Sequence, residues 1–340
     1  MQIIRPIRFD DFSALQQISI ESGHGFTSLP QCDDQLSAKI KSVEDTVNNA
    51  QPLNHNGSYL FVLEDTDSKE ILGTTGIEAA VGITSPLYHY RLSKIKQRSK
   101  SLGVNRTIST LNLCNDYHGT TEICTLFLRE AYRKGTAGRL LSKIRFLFMA
   151  QHPQRFSPKI IAEMRGVSDE QGNSPFWHWL QEHFFDIEFS EAVHLVGIGD
   201  KQFIAELMPK YPIYVSLLSQ AAQSVIGTAH NNTVPALRLL QQEGFTHKGY
   251  VDLFDAGPTV EAQLSEISSV NNSVLAKVNI AQISDSADNI MLCNTKISDF
   301  RATLSKQVSF DHAKNILNIS PEIAEHLLLQ NQDEVRFLVL

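Results

Sequence analysis

The chain has 340 residues, more than one hydrophobic core usually serves, so two domains or one large domain with an appendage are expected. Thirty basic residues against 37 acidic ones give a formal net charge of −7, which argues against a general nucleic-acid binder but leaves room for a local basic site. Apolar runs are short and interrupted by charges such as Lys143 and Arg145, and the opening MQIIRPIRFDD lacks an apolar signal core, so no membrane insertion is expected. Four cysteines without paired spacing (Cys32, Cys114, Cys124, Cys293) fit a reduced cytoplasm and no metal site, with Cys124 acting as a small hydrophobe.

Residues 3–7 read as a short strand, after which Asp10 and Asp11 precede an apolar helix pattern at Phe12, Leu15 and Ile18. Residues 59–65 and 71–81 read as two strands around Asp67, Ser68 and Lys69, an antiparallel hairpin. A strand at 122–128 follows, with Ile123 and Phe127 on one pleat face and Leu126 and Leu128 on the other, as a central strand requires. Leu140, Leu141, Ile144, Leu147 and Phe148 then form one helical stripe. Between strand and helix lie Arg133, Lys134, Gly135, Ala137 and Gly138. Small residues let backbone N–H groups approach a pyrophosphate, and the helix dipole with two cations adds complementary charge. Plain strand–helix punctuation explains the same residues equally well on local sequence alone. A further strand is expected at 159–164, and Asn173 or Ser174 can cap a helix with Pro175 in its first turn and Phe176, Trp177, Leu180 and Phe184 on its buried face.

This order, with the basic small-residue turn after the fourth strand, resembles the GNAT superfamily of acyl-CoA-dependent N-acyltransferases. The superfamily signature R/Q-x-x-G-x-G/A aligns with Arg133 to Gly138, with Thr136 where the first glycine is usual and Gly135 one place early. Longer blocks resemble the arginine N-succinyltransferase family: TSLP at 27–30, NDYHGTTEICTLFL ending at Leu128, AEMRGVSDEQGNSPFW at 162–177, FIAELMPKYPIY at 203–214 and VDLFDAGPTVE at 251–261. The resemblance implies an α+β fold, a GNAT-like mixed sheet flanked by helices, and transfer of a succinyl group from succinyl-CoA to the α-amine of L-arginine without a metal. A homo-oligomer is expected. A GNAT acetyltransferase acting on another amine is the alternative within the fold, and a non-catalytic acyl-CoA sensor, motivated by Thr136, is the alternative outside enzymes.

The chemistry asks for three kinds of group. An α-amine attacks a thioester only when unprotonated, and its ordinary pKa of roughly 7.7–8.0 calls for a base. The family block around VIGTAHNNTVPALRLLQQEGF points to His230 for proton transfer, whereas local sequence alone reads it as a helix-end residue with Asn231, Asn232 and Thr233 supplying a turn. His118 is the second candidate. For the developing oxyanion, the resemblance places backbone N–H groups of Leu126, Phe127 and Leu128 beside the thioester. A guanidinium prefers carboxylates and each substrate carboxylate prefers Arg or Lys. Glu122, Glu163, Asp252 and Asp255 are the acidic candidates and Arg165 and Lys210 the basic ones, of which the family blocks raise Glu163 and Arg165.

Asn232, Ala236, Leu239, Leu240 and the Glu243-Gly244-Phe245 stop resemble a GNAT helix ending, and SPFWHWLQEHFF resembles it in turn, which reads as a partial internal duplication. Beyond Pro258 short strand patterns (VLAKVNI, NIMLCNT, FRATLSKQVSF, EVRFLVL) and a helix from Ser320-Pro321 through Leu328 describe a β-rich tail packing on the core or on another subunit. The expected division is 1–200 for the acyl-CoA-binding domain, 201–257 for a second half carrying the histidine, and 258–340 for the β-rich subdomain.

Overall fold

Strand β1 (Gln2–Pro6) pairs antiparallel with β2 (Ser58–Asp65) and β2 with β3 (Ile71–Glu78), after α1 (Phe12–Glu21) and α2 (Asp33–Asn48) have crossed over the sheet. The computed structural model describes residues 1–23, 26, 28–49, 57–169, 172–197 and 202–340. Leu15 and Ile18 of α1 and Leu36, Ile40 and Val43 of α2 face the central core, as the helical spacing requires. Lys69 closes the β2–β3 turn in the left-handed region at φ 61°.

The chain then leaves the expected order. Strands β4 (His89–Ser99) and β5 (Val104–Cys114) form a long hairpin before β6 (Thr121–Leu128), α3 (Ala137–Gln151) and β7 (Lys159–Glu163). After β7 comes a second excursion, through α4 (Pro175–Leu180), α5 (Phe189–Gly197), α6 (Gln202–Leu207), β8 (Ile213–Tyr214) and α7 (Gln220–Val225). Helix α8 (Val234–Gln242) and strands β9 (Thr246–Asp252) and β10 (Pro258–Gln263) complete the central sheet, whose order is β1-β2-β3-β6-β7-β10-β9. With α2 and the two excursions set aside, strand, helix, hairpin, strand, helix, strand follows the sequence-derived order; the helix expected next, from Ser174, is α4 within the second excursion, and α8 precedes the last strands of the sheet instead. The result is the mixed α+β sheet flanked by helices that the sequence implies.

The excursions pack against each other. Strand β4 pairs with β9 through His89, Tyr90 and Arg91, and a second core forms between this extension and α4 to α7, around Tyr90, Leu111, Phe176, Trp177 and Leu180. Ser174 caps α4 by accepting from Trp177 N–H at 3.4 Å. The helix ends in a wide turn over Gln181–Phe185 and a left-handed Asp186, where α8 ends in the left-handed Gly244, so the two resembling segments share a stop of the same hand.

Helix α9 (Ser268–Asn272) leads to the tail. Strands β11 (Val274–Ile280), β12 (Ile290–Asn294), β13 (Ala302–Ser305), β14 (Val308–Asp311), β15 (Ile316–Ile319) and β16 (Glu334–Val339), with α10 (Pro321–His326), build a third core. Strand β13 pairs with β1 at Ile3 and Thr303, joining the sixteen strands of the described residues in one sheet. The texture change at Pro258 thus precedes the change in packing by one strand, because β10 belongs to the central sheet. No helix of the described residues is long and apolar enough to cross a membrane.

Helix α3 buries more than its one expected stripe. Arg145, Phe146 and Met149 are also buried, because α8, α9 and the tail strands cover the side of α3 that faces away from β3 and β6. At this junction the buried Glu243 carboxylate accepts from Ser269 N–H at 2.7 Å and Ser269 Oγ at 2.8 Å and pairs with Lys143. Glu243→Ala should cost about 3–5 kcal/mol in urea unfolding, because it strands Lys143 and two Ser269 donors. An effect below about 1 kcal/mol, the surface-pair range, would show that the network does not join the layers.

Candidate active site

The site begins where two parallel strands part. Strands β6 and β7 pair only through Thr121–Ile160 and Glu122–Ile161, so beyond Glu122 this edge of β6 faces a gap. On the other edge, Thr74 and Gly76 of β3 oppose Phe127 and Cys124, which sets Thr125 and Leu126 against the single Thr75. This is a β-bulge, and it leaves backbone groups of β6 outside the ladder. Thr125 holds it with φ 54°, a costly conformation for a β-branched residue, and its carbonyl accepts from Thr74 Oγ1 at 2.9 Å. The bulge interrupts the strict alternation expected along 122–128: Ile123 is buried, whereas Leu126, Phe127 and Leu128 are half-buried around the gap.

The basic turn follows directly. Gly135 has φ 105°, a region open to glycine, while Thr136 has φ −103°, ordinary for any residue. The turn therefore needs its glycine at 135, and Thr136 costs it nothing. A Cβ on Gly138 would meet only Leu128 Cδ2 at 3.7 Å, so internal packing does not demand the bare backbone there. The first intrahelical bond runs from Leu140 N–H to Thr136 O, which leaves the N–H groups of Ala137, Gly138 and Arg139 at an open helix N-terminus. Arg133 folds back, donating from Nε to Leu128 O at 3.0 Å with its guanidinium 5.9 Å from the Phe127 ring centre. Lys134 and Arg139 are exposed. Arg139, absent from the sequence-derived set, sits in the first helical turn, a position whose charge the dipole argument could have flagged.

On the α2 side of the sheet, a cavity of about 220 Å³ reaches Cys124, the residue before the bulge. Its charged lining is Lys39, Glu78, Glu122, Glu163 and Asp252. Glu78 lies directly across from Glu122 in the β3–β6 ladder and accepts from Lys39 Nζ at 3.1 Å and Ser58 Oγ at 2.9 Å. Burial, with Glu122 and Glu78 nearby, pushes the Cys124 thiol up to about 12, so it stays protonated. Glu163 pairs at 2.6 Å with Nε2 of His89, a fully buried ring on β4 packed edge-on against Tyr117. His89 was not legible as a site residue, since its partner is remote in sequence.

Beyond β7 the chain crosses two other segments. Gly166 N–H donates to Asp255 Oδ2 at 2.7 Å, Gly257 N–H to Asp255 Oδ1 at 2.8 Å, and Gly166 bridges to Ala229. Burial, then Asp252, holds the Asp255 carboxyl well above the usual carboxylate range despite these donors. Both Asp255 and Asp252, whose Oδ1 accepts from Phe254 and Asp255 N–H, are engaged by backbone. The crossing delivers Arg165 and His230 together: His230 N–H donates to Arg165 O at 2.8 Å, and Arg165 Nη2 donates to Ser168 Oγ at 2.8 Å. His230 Nδ1 accepts from Asn232 N–H at 3.1 Å, which puts the neutral ring's proton on Nε2. Burial first, then the Arg165 charge, lowers its pKa, so the ring is neutral at neutral pH.

Other sequence candidates lie elsewhere. His118 is exposed in the loop before β6, with Nδ1 at 2.9 Å from Gly82 O, and Lys210 is in the exposed loop before β8. Thr27, Glu170 and Gln171 of the family blocks lie outside the described residues.

A mixed sheet that parts between two parallel strands, a bulge in the first of them and a glycine-opened helix behind it define an acyltransferase of the GNAT type. The chain belongs to the arginine N-succinyltransferase beta subunit family, which it matches over residues 2–269, with that family's C-terminal domain over 274–338. It is 42% identical over 342 aligned positions to arginine N-succinyltransferase of Yersinia enterocolitica and 43% identical to that of Photorhabdus laumondii, covering 100% of this chain and 98% of each relative. Among solved structures, subunit AI of arginine/ornithine succinyltransferase from Pseudomonas aeruginosa superposes with a TM-score of 0.91 at 34% identity, covering 100% of this chain and 98% of that one.

A Cβ on Gly166 would come within 2.5 Å of Asp255 O and Oδ1, so Gly166→Ala should force the crossing apart. We expect a loss of about 1–3 kcal/mol in stability, with activity falling further than unfolding explains because Arg165 and His230 move. Wild-type stability and turnover in this variant would show that the crossing does not set the site.

Proposed function

We propose that the protein transfers the succinyl group of succinyl-CoA to the α-amine of L-arginine, giving N2-succinyl-L-arginine and CoA. The observation that carries this beyond family membership is the acid-lined cavity ending at the bulged strand, a setting suited to a cationic acceptor held beside a thioester. Glu163, held by His89, faces the guanidinium together with Glu122. Arg165 takes a substrate carboxylate. Backbone N–H groups at Leu126, Phe127 and Leu128 receive the thioester oxygen, and the turn with Arg133, Lys134, Gly135 and Gly138 receives the phosphates. Because Thr136 fits the turn without strain, it offers no reason to prefer an inactive acyl-CoA sensor.

His230 handles the proton. Attack of the neutral amine forms the N–C bond and leaves a proton on nitrogen. The ring takes it at Nδ1, exchanging the Asn232 N–H for it, and returns it to sulfur as the C–S bond breaks. The experiment for the assignment is an acyl donor and amine panel that follows free CoA thiol. Release from succinyl-CoA that depends on arginine supports it; equal use of acetyl-CoA, which would leave the carboxylate-binding cation unpaired, points instead to an acetyltransferase.

His230→Ala should lower turnover by about 10²- to 10⁴-fold with CoA affinity and melting temperature nearly unchanged. Since the neutral ring is the active form and its folded pKa is lowered, activity should be lost as pH falls through a value below the ordinary ~6.5. Arg165→Met should move that acidic limb upward. A limb unmoved by either substitution would remove His230 from proton transfer.

A further inference from the structure

Lys39 stands on the buried side of α2, three residues after Leu36 and four before Val43, both fully buried. We infer that its ammonium binds the terminal carboxylate of the acyl group and so selects a succinyl donor, an inference that rests on the succinyl transfer proposed above. Lys39 is the sole cation among the described residues that line the cavity, which reaches Cys124 just before the bulge. Its Nζ donates to Glu78 Oε1 at 3.1 Å, and an ammonium carries three donors, so this ion pair leaves capacity for a second anion. Burial opposes the charge, but Glu78 and Glu122 favour it strongly enough that the ammonium stays protonated.

Stability alone does not account for such a lysine. A buried ion pair is often no more stabilising than apolar residues of similar volume, and an apolar side chain here would simply continue the stripe of Leu36 and Val43. Reach supports a ligand. With the thioester oxygen on the β6 backbone at Leu126, Cys124 lies two residues back along the strand, about 7 Å at the usual rise. A succinyl group carries its second carboxylate two methylenes beyond the thioester carbon, an extent of about 5 Å from standard bond lengths. Directed back along β6, away from the turn that receives the phosphates, that carboxylate arrives in the part of the cavity lined by Cys124, Lys39 and Glu78.

The carboxylates of the two reactants divide between two cations. The α-carboxylate is bonded to the carbon that bears the attacking amine, so it accompanies the proton that His230 takes, and Arg165 is the hydrogen-bonded neighbour of His230. The acyl carboxylate lies on the far side of the reacting carbon and falls to Lys39. With the guanidinium against Glu122 and Glu163, Lys39 is the charge that offsets the repulsion of this carboxylate by Glu78 and Glu122. Loss of the ammonium therefore penalises an anionic acyl chain and spares a neutral one of the same length.

The test compares kcat/KM for succinyl-CoA and for butyryl-CoA, which has a methyl group where succinyl has its carboxylate, in the full-length protein with saturating L-arginine. Wild type should prefer succinyl-CoA. Lys39→Met should lower the succinyl-to-butyryl ratio about 10- to 100-fold, the effect of losing a hydrogen bond to a charged group, chiefly by slowing succinyl-CoA. Lys39→Arg, which keeps the charge, should lose less, and Glu78→Gln should hold or raise the ratio. Partial unfolding lowers both donors alike and leaves the ratio unmoved, so a purely structural role for Lys39 is separable. A wild-type ratio in Lys39→Met, or a ratio that collapses in Arg165→Met while Lys39→Met leaves it in place, would overturn the inference and leave the succinyl-transfer reading standing. A wild-type protein with no arginine-dependent release of CoA from succinyl-CoA would remove that reading and the inference with it.

Discussion

The parting of β6 from β7 is the constraint on which the site depends. Two parallel strands that paired along their whole length would satisfy their backbone groups and leave no opening. Here the ladder stops after two residue pairs, and the donors beyond it need other partners. The protein answers on both strands. On β6 it places a bulge, held at Thr125 in a conformation costing about 1–3 kcal/mol and fixed by the Thr74 hydroxyl. Beyond β7 it binds Gly166 N–H to Asp255 and ties Arg165 O to His230 N–H. The same crossing beyond β7 brings Arg165 and His230 together.

Charge is distributed to match. The basic turn and open helix N-terminus lie at the end of β6, where a polyanionic donor would be held, while Glu78, Glu122, Glu163 and Asp252 line the cavity before the bulge. Under the proposed function, a donor rich in phosphate and a guanidinium-bearing acceptor would be attracted to different ends of one strand and would meet at the bulge between them. Lys39 keeps the cavity from being purely anionic: its charge is favoured, against the cost of burial, by Glu78 and Glu122. Such a pair stays put because removing either partner leaves the other buried and uncompensated.

Much of this was legible in the sequence where local periodicity records it. The apolar stripe of α3, the β2–β3 hairpin and the Ser174 cap each follow from residues close in the chain. The turn at 133–138 was legible in kind, but the reason for its displaced glycine required the backbone angles of Gly135 and Thr136. Hairpin β4–β5 was hidden because Lys94, Lys96 and Arg98 supply no apolar alternation against a core. The buried flank of α3 was hidden because Lys143 and Arg145 interrupt its apolar pattern, whereas strands nearly two hundred residues later cover it. The His89–Glu163 pair and the Gly166–Asp255 crossing are long-range contacts that no local pattern announces. His230 became a candidate through its family block, and the structure adds the neighbours that set its charge.

The most direct measurement is a crystal structure of the protein with CoA and N2-succinyl-L-arginine bound. The account predicts the CoA phosphates on the N–H groups that open α3, its sulfur in the gap beside Leu126, and the product guanidinium against Glu122 and Glu163. CoA phosphates bound away from the 133–139 turn, or a guanidinium outside the acid-lined cavity, would contradict it.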